Sequence, residues 1–76
     1  MKITQIIHGY CDPNEYGVVV CFQVDRKEYG LYVEFNRKTR KLVAMRDEDP
    51  KRLPANLDLN AIEQAARAFV GNGWDA

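Results

Sequence analysis

Between Tyr16 and Arg46 the chain alternates apolar side chains as strands do, yet the positions in between are not cleanly polar. Val19, Cys21, Tyr32, Val43 and Met45 occupy those intervening positions. A strand turns successive side chains to opposite faces, so such a sheet is greasy on both sides. Only one amphipathic helix follows. One helix covers one face of a small sheet, and the other face then needs a partner, a second copy or a ligand.

Three hairpin turns divide the stretch into strands. Ile3–Tyr10 reads as the first strand. Cys11-Asp12-Pro13-Asn14-Glu15-Tyr16 reads as a turn, because Asp and Asn favour turn geometry and Pro presets φ. Gly17–Asp25 is the second strand, rich in β-branched and aromatic residues. Arg26–Tyr29 reads as the next turn and Leu31–Asn36 as the third strand. Arg37-Lys38-Thr39-Arg40 turns the chain into a fourth strand, Lys41–Arg46.

Hydrophobic matching sets an expected register. With Asp25 opposite Gly30, Val24 meets Leu31, Phe22 meets Val33 and Val20 meets Phe35, all on one face. With Asn36 opposite Lys41, Phe35 meets Leu42 and Val33 meets Ala44 on that same face. A one-residue slip would turn these side chains outward. The first strand admits two registers. One puts Ile3 and Ile7 on the helix-covered face with Gln5 between them; the other puts Ile6 and His8 there.

Residues 47–57 read as a crossover loop with two prolines, and 58–70 as the helix. Asp58 is placed to cap it, with Leu57 and Ile62 as a hydrophobic staple; Asn60 with Glu63 is a competing capping box. Leu59, Ile62, Ala65, Ala66, Phe69 and Val70 form an apolar stripe at helical spacing. Glu63 and Arg67 are an exposed i,i+4 pair in the favourable order. Gly71 is placed to end the helix. Residues 71–76 read as a flexible tail whose only Trp, Trp74, serves as a lid on the core or as an exposed anchor, the lid being favoured. The expected architecture is a single α+β domain: a four-stranded antiparallel meander, about residues 2–46, with one C-terminal helix on one face (ββββα).

Composition narrows the function. Seventy-six residues make one small domain, which buries only about 60% of its unfolded surface, so covering the second face bears on stability. Eleven basic and eleven acidic residues balance to zero. That balance argues against a DNA mimic and gives no global attraction to nucleic acid or anionic lipid. No apolar run approaches the roughly 18 residues of a membrane span. The N-terminal residues lack the apolar core and cleavage site of a signal peptide, and the chain reads as cytoplasmic. Cys11 and Cys21 would lie roughly 16 Å apart along the ribbon, too far for a disulfide, which needs Cα atoms within about 7 Å. Free thiols are expected.

The main candidate site is the second face. On it the expected register places Ile6, His8, Val19, Cys21, Tyr32, Val43 and Met45, diluted by Thr4, Gln23 and Glu34 and joined at one end by Tyr10. Tyr and Met are favoured in protein interfaces, so a protein partner or a second copy of the chain is expected there. A half-polar solvated face is the plain alternative. A second candidate is the basic hairpin tip Arg37, Lys38, Arg40 and Lys41, with Lys51 and Arg52 nearby and Tyr29 and Tyr32 in the same region. It offers phosphate contacts to nucleic acid. Zero net charge favours its other reading, a solvated turn that discourages edge pairing.

Catalytic signals are weak. Asp47-Glu48-Asp49 lacks the spacing of a calcium loop. His8, Cys11 and Asp12 are the only nucleophile and base types close in sequence, and a regular strand would turn His8 and Cys11 to opposite faces. No phosphate loop, metal-ligand spacing or paired-carboxylate cleft appears, so no enzyme activity, cofactor or metal is expected. The expected function is a non-enzymatic protein-binding module, in size like a small phage-encoded inhibitor or accessory protein. A nucleic-acid-binding module and a structural homodimer are the alternatives.

Overall fold

The computed structural model describes residues 1–47 and 53–75. Glu48, Asp49, Lys51 and Arg52, raised above as cation ligands or basic neighbours, lie outside the described residues. Four strands, β1 (Lys2–Cys11), β2 (Glu15–Val24), β3 (Lys27–Asn36) and β4 (Leu42–Arg46), form one antiparallel sheet in sequence order. Helix α1 (Leu59–Val70) follows, and a single 3₁₀ turn spans Gly73–Asp75. This is the ββββα arrangement that the sequence predicts.

The β2–β3 hairpin is tighter than expected. Asp25 and Arg26 both take positive φ, 50° and 68°, the two-residue turn whose twist matches that of the flanking strands. Val24 therefore faces Lys27, Val20 faces Leu31 and Val18 faces Val33. Phe22 meets Tyr29, with ring centroids 5.7 Å apart and nearly parallel. Each partner differs from the expected one by an even number of residues. The faces are therefore preserved although the pairs are not.

Two bulges change faces outright. In β1 the register shifts between Ile3 and Gln5, so that Ile3 pairs with Phe22, Ile6 with Val20 and His8 with Val18. Strict alternation allows Ile3 or Ile6 on the core side, whereas one extra residue admits both. Ile6 and His8 therefore lie on the helix side and not on the second face. In β4, Phe35 meets Leu42 as expected, but the register then shifts, and Val33 meets Met45 instead of Ala44. Met45 thus packs against the core, while Ala44 and Arg46 move to the opposite face. Val43 is the extra residue at this step and is 56% exposed.

The helix begins where Asp58 accepts a hydrogen bond from the Ala61 N–H at 3.0 Å. It ends at Gly71, whose N–H makes the last bond to the Arg67 carbonyl at 2.9 Å and whose positive φ of 56° turns the chain out of the helix. Ile62, Ala66 and Val70 are buried against the sheet, while Leu59 and Phe69 stay at the exposed margins of the stripe. Arg67 pairs with Glu63 at 2.9 Å, the predicted i,i+4 pair, although it is half-buried and not exposed. It also donates to the Arg40 carbonyl at 2.8 Å, tying the helix to the β3–β4 hairpin.

The chain end is ordered around its Trp. Trp74 is buried, edge-on to Phe35 at 5.3 Å and tilted against Tyr16 at 5.7 Å. Its carbonyl accepts from Arg37 Nε at 2.6 Å. The lid reading of Trp74 is the one observed, and residues 73–75 form a turn where the sequence suggested a flexible tail. Helix and Trp74 therefore share one face of the sheet, and neither covers the other.

Candidate protein-binding surface

The face that the described residues leave uncovered carries Ile7, Val19, Cys21, Tyr32, Glu34, Ala44 and Arg46, set by the pairs Ile7–Val19, Val19–Tyr32, Tyr32–Arg46 and Glu34–Ala44. Three of the seven residues predicted for it, Val19, Cys21 and Tyr32, stand on it. Ile6, His8 and Met45 are on the helix side, and Val43 sits in the β4 bulge. Ile7, Glu15 and Arg46 belong to the surface but were not singled out from the sequence.

Tyr32 organises this face. A Cβ built on Gly17 would come within 2.5 Å of its Cζ and 2.7 Å of its Cε2, and one on Gly9 within 2.7 Å of Cε2. The phenol ring therefore lies flat across the bare backbone of two strands. Its hydroxyl donates to Glu15 Oε2 at 2.5 Å. The Arg46 guanidinium lies over the ring, 5.1 Å from its centroid, and is itself held by Glu34 at 3.0 Å. Burial, and then the hydrogen bond to Glu15, push the Tyr32 phenol well above its usual range, so it stays a donor at neutral pH.

Tyr32, Arg46 and Asp47 form a ridge between two shallow depressions. One, of about 610 Å³, is completed by Tyr10 and Glu15; the other, of about 270 Å³, by Val19 and Gly30. Tyr10 is 60% exposed. Beside the second depression Cys21 pairs with Gly30, so no side chain crowds its thiol on that strand. At the far rim, Thr4 Oγ1 donates to Glu28 at 2.6 Å.

The other candidates fare differently. Arg37 donates to the Trp74 and Asp12 carbonyls, and Arg40 pairs with Asp75 at 3.2 Å. Arg37 therefore holds the chain end in place, while Lys38, Arg40 and Lys41 are exposed, Arg40 with Asp75 as a surface partner. The second β1 bulge returns Cys11, paired with Tyr16, to the face of His8. The His8 ring packs on Phe69 at 4.9 Å, and its Nδ1 lies 3.4 Å from the Tyr16 hydroxyl. Cys11 and Cys21 are free thiols. Among the described residues no three His, Cys, Asp or Glu side chains group as metal ligands, and no helix is long and apolar enough to cross a membrane. Comparison with protein-family models, with curated proteins and with solved structures finds no match.

Proposed function

We propose that this chain is a non-enzymatic protein-binding module whose working surface is the sheet face centred on Tyr32. The observation that carries the reading is that the helix and Trp74 lie together on the opposite face. Tyr and Arg are the residue types that most often dominate binding energy, and Tyr10, Tyr32 and Arg46 cluster here. Glu15 and Glu34 fix two of them before any partner arrives, which lowers the entropy cost of docking. Ile7, Val19 and Cys21 add apolar area, and Gln23, Thr4 and Glu28 make a polar rim. A small inhibitor or accessory protein, of the kind phages encode, suits this arrangement. A nucleic-acid reader is the weaker reading, because Arg37 already serves the fold and the net charge is zero.

Affinity capture from the native host's lysate tests the proposal when run with paired variants. Tyr32→Asp removes the ridge and places a charge at its centre. It is expected to weaken capture of the partner about thirtyfold or more. Lys38→Glu with Lys41→Glu is expected to leave capture intact. A partner retained by Tyr32→Asp but lost with the double lysine variant would overturn the reading in favour of the hairpin.

A further inference from the structure

The sheet has two edges, and they are built differently. β4 is five residues long and bulged, follows Lys41 and ends on Arg46. β1 is ten residues long, and from Ile3 to Cys11 it carries no charged residue and no proline. Edge strands are normally protected by such residues, since their free N–H and C=O groups pair readily with another strand. The bulges of β1 lie at its two ends, leaving Gln5–His8 as a regular pairing segment. Exposed apolar side chains stand on both sides of this edge. Ile7, 42% exposed, lies on the open face, and Phe69, 38% exposed, leans over His8 on the helix side.

We propose that β1 pairs antiparallel with β1 of a second copy of this chain, joining two sheets into one of eight strands. The charges favour a second copy in this orientation. Lys2 lies at one end of β1 and Asp12 just beyond the other, so antiparallel pairing centred on Ile7, where the residue meets its own copy across the two-fold, sets each positive end against the acidic end of its neighbour. Asp12 stays ionised there: the Asn14 and Glu15 N–H groups bond its carboxylate at 2.7 and 2.6 Å and hold its pKa down. A net charge of zero removes long-range repulsion between copies. A two-fold axis normal to the sheet puts both helices on one side. Phe69 of each copy then stands above the seam, and the Tyr32 face stays open.

Sedimentation from micromolar to millimolar chain concentration tests this. The mass is expected to rise from 8.8 kDa toward twice that value. Ile7→Lys and Phe69→Glu, each at an exposed site on one side of the seam, are expected to weaken dimerisation at least about tenfold with circular dichroism unchanged. Lys2→Glu is expected to weaken it about three- to thirtyfold at low salt. Val43→Lys, on the other edge, is expected to have no effect. A wild-type chain that stays monomeric at millimolar concentration overturns the proposal, as does a dimer indifferent to both Ile7→Lys and Phe69→Glu. If Ile7→Lys fails to fold, the Phe69→Glu result decides.

Discussion

Trp74→Ala is expected to lower the melting temperature by roughly 12–40 °C, although it lies two residues from the C-terminus. Truncating a buried Trp costs about 3–5 kcal/mol. A domain of 76 residues has roughly 4–11 kcal/mol of stability in all, and each kcal/mol corresponds to about 4–8 °C at this size. The loss does not stop at the indole. Phe35 and Tyr16 lose their ring partner, and the turn that presents the Trp74 carbonyl to Arg37 loses its anchor. Thermal unfolding followed by circular dichroism measures the effect. An unchanged melting temperature would mean that the chain end does not close the core, and would reopen the question of which face it covers.

Gly17→Ala is expected to disrupt the Tyr32 ridge while leaving the core in place. The new methyl group would occupy the space of the phenol ring, so the whole ring must leave the sheet surface. Its hydrogen bond to Glu15 and its stack with Arg46 then go together. Overpacking of this kind costs about 1–3 kcal/mol. In a Tyr32→Ala background the same change meets no ring, and a strand favours Ala over Gly by roughly 0.5–1 kcal/mol. Denaturant unfolding of the four proteins should therefore give a coupling energy of about 1.5–4 kcal/mol between the two sites. Equal effects of Gly17→Ala in both backgrounds would show that the ring does not rest on this glycine. Under the proposed function, Gly17→Ala also loses the partner that Tyr32→Asp loses, although it adds no charge.

Much of the fold was legible because it depends on period and punctuation. The alternation in β2 and β3 set their faces, and Asp58 and Gly71 marked the helix ends through capping chemistry. The bulges were not legible. Ile3 and Ile6 sit three apart, a spacing that neither register of a regular strand allows, and only an extra residue near Thr4 reconciles them. Val43 has the same effect in β4, sending Met45 inward and Arg46 outward. The two-residue turn at Asp25-Arg26 was hidden because Arg is an uncommon occupant of the left-handed region. Gly9 and Gly17 carried the one signal of the Tyr32 platform. Glycines near the facing ends of two predicted strands mark backbone left bare for a neighbour to approach. Nothing in a one-dimensional pattern said which aromatic would lie there.

Cys21 offers a direct reading of the central claim, because its thiol belongs to the Tyr32 face and Gly30 leaves it uncrowded. The alkylation rate of Cys21 is measured in a Cys11→Ser chain, free and in complex with the captured protein. The account predicts that the free thiol reacts readily and that the complex slows it by about an order of magnitude, while the fold is unchanged. An equal rate in the complex would place the partner elsewhere and contradict the assignment of this face as the docking surface.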